Sequence, residues 1–170
     1  MSARAKVILP LLSEALRLGK QIVSEDGVFY PFGLGLEANG NILIGGSLYN
    51  DHYPDPRECY EELQKKIATE IATDKFAAVA IAVDATVPEG HASEYQEAIR
   101  IFVEASGYTT YFYYPYRREP SSAAKPAKRI KSKTVFGSSF TVEAAPKYFR
   151  SGLVLSSDVR ALESPVDRQH

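Results

Sequence analysis

Along residues 5 to 23, apolar side chains recur at Ile8, Leu11, Leu12, Ala15, Leu16, Ile22 and Val23, the spacing of a helix with one buried face. Pro10 inside this stretch implies a late start or a kink, because it has no N–H and its ring crowds the preceding turn. The period then drops to two. Val28, Tyr30, Phe32, Leu34 and Leu36 fall on one face of a strand, and Phe29, Pro31, Gly33 and Gly35 on the other. Pro31 marks an edge position or a bulge, and the two glycines leave room for something to lie close to the backbone. Asn39-Gly40 predicts a type I′ hairpin, in which both central residues take positive φ, with a return strand from Ile42 to Tyr49.

Asp55, Pro56 and Glu58 open a second helix as cap, first helical residue and partner in a capping box. Its buried stripe is Tyr60, Leu63, Ile67 and Ile71. Phe76 to Val87 is a strand with Val79, Ile81, Val83, Ala85 and Val87 on one face and Ala78, Ala80, Ala82 and Asp84 on the other, which places it in the interior. Glu94 to Ala105 alternates again, with Ile99, Ile101 and Val103 inward and Gln96, Arg100 and Glu104 outward. Ser106-Gly107 turns the chain into an aromatic strand from Tyr108 to Tyr116, and Thr134 to Val142 is a sixth strand. The expected fold class is α+β: a two-layer sandwich of about five mainly antiparallel strands with the helices on one face. Roadblock-like and profilin-like folds share this element order, a likeness that licenses no function.

Charge changes the picture at one place. Of 20 basic and 21 acidic residues, seven and one respectively fall between Arg117 and Lys133, among prolines, serines and alanines. Such a stretch builds no core, so 117–133 is expected to be a basic flexible loop in a single domain spanning 1–146, with 147–170 a loosely ordered tail. The rest of the chain carries 13 basic against 20 acidic residues, so the loop is expected to lie on its own acidic body or reach an acidic partner. With a formal net charge of -1 the whole chain is no obvious nucleic-acid binder, although the loop beside the aromatic strand keeps that alternative open. One cysteine, Cys59, excludes an internal disulfide and a cysteine-based zinc cluster. Pro10, Ser13, Glu14 and Arg17 interrupt the first apolar run too early for a signal peptide, and no stretch approaches a membrane span, so a cytoplasmic location is expected.

The candidate chemistry is sparse. Asp84 interrupts an apolar strand, and a buried carboxylate needs partners or a raised pKa. It is a candidate general acid or base with His91 or Glu94; the structural alternative is a strand end at solvent or a pairing with Arg100. His52 lies among turn formers and carboxylates before the second helix, as a binding residue or a solvated loop residue. Cys59 is either small buried packing or a thiol at a helix start. The glycine pairs at 33/35 and 45/46 are not phosphate loops, because hairpin strands surround them. No metal site, cofactor or catalytic residue is assigned.

The chain has 11 Tyr, 8 Phe and no Trp. Tyr111 and Tyr113, with Arg117 and Arg118, are the candidate binding residues, one of the two tyrosines being expected to point outward from an exposed strand. Phe29-Tyr30-Pro31-Phe32-Gly33, the Asn39-Gly40 hairpin, Ala80-Ile81-Ala82-Val83-Asp84, Tyr114-Pro115-Tyr116 and Val135-Phe136-Gly137 together resemble a group of small bacterial proteins of no established activity. The likeness spans roughly residues 25 to 142, and the Arg117–Lys133 insertion departs from its spacing. It implies a fold and no function.

The expected function is a non-enzymatic protein-binding domain of immunity or adaptor type, with a homodimer through the aromatic strand as a further expectation. The alternatives are a small hydrolase or ligand-binding enzyme built on Asp84, and nucleic-acid binding through the basic loop.

Overall fold

A computed structural model describes residues 2–25, 28–46, 55–91, 93–119 and 133–149. The first helix, α1 (Ala3–Ser24), starts where the Ser2 hydroxyl accepts from the Ala5 N–H at 3.1 Å. It runs through Pro10 and buries Ile8, Leu11, Ala15, Gly19 and Val23, one stripe at helical spacing. Strands β1 (Phe32–Glu37) and β2 (Ile42–Gly46) form the hairpin. The turn differs from expectation. Glu37 donates to the Asn41 carbonyl and Gly40 to the Glu37 carbonyl, so three residues close the loop. Gly40 takes φ +92 while Asn39 does not take positive φ, the pattern of a type I turn followed by a left-handed residue rather than type I′.

The second helix, α2 (Pro56–Ile71), is capped by Asp55, whose carboxylate accepts from the Arg57 N–H at 3.0 Å, with Pro56 at the first helical position. It buries Cys59, Leu63, Ile67 and Ile71. Strands β3 (Phe76–Thr86), β4 (Glu97–Ala105) and β5 (Tyr108–Glu119) follow, then β6 (Lys133–Phe136) and β7 (Phe140–Glu143). All pairings are antiparallel in the order β2-β1-β3-β4-β5-β6, and β7 also pairs with β5. The described sheet thus has seven strands rather than about five. The single strand expected over Thr134 to Val142 is two short ones in line, broken at Gly137-Ser138-Ser139. A Cβ on Gly137 would stand 2.9 Å from the Tyr95 ring, so that break needs glycine.

The expectation that both helices share one face is corrected. Ala78, Ala80, Ala82, Ile99, Ile101 and Val103 pack with α1, whereas Val79, Ile81, Val83 and Phe102 pack with α2. These positions alternate along β3 and β4, so the helices cover opposite faces. The cause is in β3, apolar on both sides: alanines on one face let α1 come close, and β-branched residues on the other fill the space under α2. Two glycines set these approaches. A Cβ on Gly19 would lie 3.2 Å from Ile99 beneath α1, and one on Gly33 would lie 3.1 Å from Leu63 and Ile67 of α2. What lies close to the β1 glycines is therefore the chain's own side chains.

Glu104 is also corrected. Expected outward, it is fully buried on the α2 face, where the N–H groups of Lys147, Tyr148 and Phe149 donate to its carboxylate at 3.0–3.1 Å. The expected tail boundary at 147 therefore shifts, since Tyr148 is buried against Phe102. Residues 150–170 lie outside the described residues, as do 120–132 of the basic loop.

Candidate functional site

Both ladders of β1 begin at Phe32, directly after Pro31, which has no N–H to form the next rung toward β2. β3 continues past its last β1 partner, Ala82, as far as Thr86. The direction of its main-chain groups there follows from two hydrogen bonds. Glu37 donates toward β2, so the even positions of β1 face β3. Val87 donates to the Gln96 carbonyl at 2.7 Å, so odd positions of β3 face β4 and even ones face β1. Asp84 and Thr86 therefore turn their N–H and C=O groups toward the side that β1 has left. Among the described residues no strand pairs with them there.

A cleft of about 450 Å³ lies at this edge, with Val28, Phe29 and Pro31 as one wall. Its charged lining divides between the two faces of the sheet. On the α1 face stand Asp84 and Glu97, with Tyr116 and Arg118 beyond them on β5. The register sets Ile99 opposite Asp84, so Glu97 is the diagonal neighbour of Asp84 on the same face. On the α2 face, Arg100 lies across from Val83, and Arg57 and Tyr60 reach in from the first turns of α2.

Each of these groups is held differently. The Tyr116 hydroxyl donates to Asp84 Oδ1 at 2.8 Å, crossing β4 to do so. Burial, and then this bond to a carboxylate, raise the Tyr116 phenol well above the ordinary phenol range. The Arg100 guanidinium sits over the Tyr111 ring, 4.9 Å from its centroid, and its Nε is buried without a hydrogen-bond partner among the described residues. Arg57 pairs loosely with Glu61 at 3.6 Å. Among the described residues no ion pair holds Asp84, Glu97, Arg100 or Arg118. Asp84 and Glu97 thus line the cleft on one face, with Arg118 beyond them, while Arg100 and Arg57 line it on the other. The arrangement orients opposite charges along an open strand edge, which suits recognition of a charged, extended group.

The residues singled out from sequence fall in several places. Asp84 lines the cleft and is exposed, as in the alternative of a strand end at solvent; the other alternative, a pairing with Arg100, fails because adjacent strand positions face opposite ways. His91 lies instead on Phe140, ring centroids 4.2 Å apart, and Glu94 is exposed; neither lines the cleft. Tyr111 and Tyr113 are two residues apart and so share a face, which corrects the expectation that one points outward. Tyr111 packs on Phe102 at 5.3 Å, and Tyr113 is buried with its ring stacked 5.0 Å from Phe140. β5 is not a free edge, because β6 and β7 pair along it. Arg118 reaches the cleft; Arg117, on the opposite face, pairs with Glu119 at 3.1 Å and lies over Tyr95. His52 lies outside the described residues. Cys59 is buried packing.

Sequence reasoning did not single out Glu97, Arg57 or the Tyr116–Asp84 bond. Glu97 and Tyr116 were legible only through the β3–β4–β5 register, which no local pattern sets. Among the described residues no group of three or more His, Cys, Asp or Glu side chains forms a cation site. No helix among them is long and apolar enough to cross a membrane. No family model, curated protein or solved structure matches the chain.

Proposed function

We propose that the protein is a non-enzymatic protein-binding domain, of the immunity or adaptor kind, that receives its partner at the cleft beside β3. The observation that carries this reading is the set of charges that line the cleft without satisfying one another: Asp84 and Glu97 on one face of the edge, Arg100 on the other. Charges arranged in this way set partner choice and orientation, because a wrong partner brings like charges together. Tyr60 adds half-exposed amphipathic ring surface of the kind favoured at interfaces.

The test is capture from a lysate of the source organism, with three baits: the unaltered chain, Arg100→Glu and Asp84→Lys. One stoichiometric protein is expected on the first bait and is lost from both variants, each checked for native circular dichroism. Recovery of no such protein, or equal recovery on all three baits, overturns the reading.

A further inference from the structure

We propose that the cleft takes an extended segment of the partner that pairs as an added antiparallel strand with the open edge of β3, with a basic side chain opposite Asp84 and an acidic one beside it opposite Val83. The inference rests on the protein-binding reading and adds the binding mode and the chemistry of the bound segment. Its backbone half comes from the ladder. Asp84 and Thr86 present main-chain groups on the side where β1 stops, and unpaired strand edges are templates for another chain.

Its side-chain half comes from the alternation of strand faces. A residue paired with Asp84 points to the same face as Asp84, its Cβ about 5 Å away; a lysine or arginine there meets the Asp84 carboxylate directly, with Glu97 behind it on β4. Arg118 lines the same face from β5, so the three side chains together carry one net negative charge. The next residue, opposite Val83, points to the α2 face. Arg100 stands two strand spacings away, about 10 Å, with its guanidinium over the Tyr111 ring of β5, and its long side chain meets a glutamate there by swinging back from that ring; Arg57, from the first turn of α2, lines the same side of the cleft. A segment with only acidic side chains would place one against Asp84, and a wholly basic one would meet Arg100.

Short, end-blocked synthetic peptides test this directly by fluorescence anisotropy. One alternates Lys and Glu; a second has the same composition with all lysines before all glutamates. Two more repeat the alternating sequence with N-methyl groups on the lysines only or on the glutamates only. The alternating peptide is expected to bind at least roughly tenfold more tightly than the block peptide, since a block sets the same charge opposite both Asp84 and Val83 and so brings a glutamate to Asp84 or a lysine to the Arg100 face. N-methylation of the lysines, whose N–H groups face β3 in this register, is expected to abolish binding. N-methylation of the glutamates, whose N–H groups face away, is expected to leave it. Asp84→Asn, with unchanged circular dichroism, is expected to weaken the alternating peptide at least roughly fivefold. No binding by the alternating peptide, equal binding by the block peptide, or equal losses from the two methylations would each overturn the strand-addition mode. If the lysate partner is still captured in a charge-dependent way after such a result, the protein-binding reading survives and this mode alone falls.

Discussion

Glu104 shows how much one side chain decides. Its carboxylate receives three successive backbone N–H groups, from Lys147 to Phe149, in a fully buried place. An amide there keeps one acceptor and turns an NH2 toward donors, so Glu104→Gln is expected to cost about 2–3 kcal/mol, seen as a lower urea midpoint at an unchanged slope. Unchanged stability would mean that the 147–149 backbone is held by other contacts. The sequence made this carboxylate look exposed because parity assigns a face and not what covers it, and Lys147 to Phe149 carry no helical or strand pattern. Buried phenols give a second test. Burial pushes Tyr148 up to about 12, and raises Tyr114 and Tyr116 as well. The neutral phenol is favoured in the folded state, so the stability it contributes is whole below the ordinary value of about 10 and is lost as pH rises toward about 12. Alkaline unfolding followed at 295 nm is expected to set in across that window, and Tyr148→Phe should make the loss shallower. An identical alkaline profile would remove Tyr148 from the account.

At the scale of elements, the strongly periodic stretches were legible: both helices and the cores of β1 to β5 stand where apolar spacing puts them, with ends shifted by a few residues. Asp55 and Pro56 mark the start of α2 to the residue. The Asn39-Gly40 turn was legible in place but not in type, because turn type follows the pairing of Glu37 with Asn41, a fact of register. The strand at Val28 starts late, at Phe32, since Pro31 cannot supply the next rung and Tyr30, preceding it, is restricted as well. The same hairpin separates two roles of glycine. A Cβ on Gly35 would run into the Phe76 ring, whereas at Gly45 the only neighbour within 4 Å among the described residues is Lys66 Nζ at 3.9 Å. Gly35→Ala is therefore expected to destabilise by about 1–3 kcal/mol through overpacking. Gly45→Ala is expected to be neutral or slightly stabilising, because it removes backbone freedom from the unfolded chain. Thermal melts of the two variants check this; equal midpoints would mean that the Phe76 ring moves aside without cost.

At the scale of the whole molecule, the two faces of the sheet are closed by different means, and sequence conveyed only one of them. α1 announces itself by its stripe and seals the face that carries Ile99, Ile101 and Val103. The opposite face is shared between α2 and the stretch from Ala144 to Phe149, where Tyr148 meets Phe102 edge-on at 6.0 Å and Lys147 lies over the same ring at 5.0 Å. Its last three residues, Lys147 to Phe149, were legible only as tail, because contacts across 43 to 45 residues of separation leave no mark in local periodicity. Its contribution can be isolated by comparing a chain ended after Phe149 with one ended after Ala144, each with Glu104 and with Glu104→Gln. The shorter chain loses the three N–H donors and the Tyr148 ring, leaving Glu104 without these partners and Phe102 less covered, so it is expected to melt lower. The two changes remove the same interaction, so they should not add: Glu104→Gln, costly in the longer chain, should be neutral or stabilising in the shorter one, a coupling of about 1–3 kcal/mol. If the substitution costs the same in both lengths, Glu104 is not coupled to this stretch, and the closure of the α2 face belongs to α2 alone.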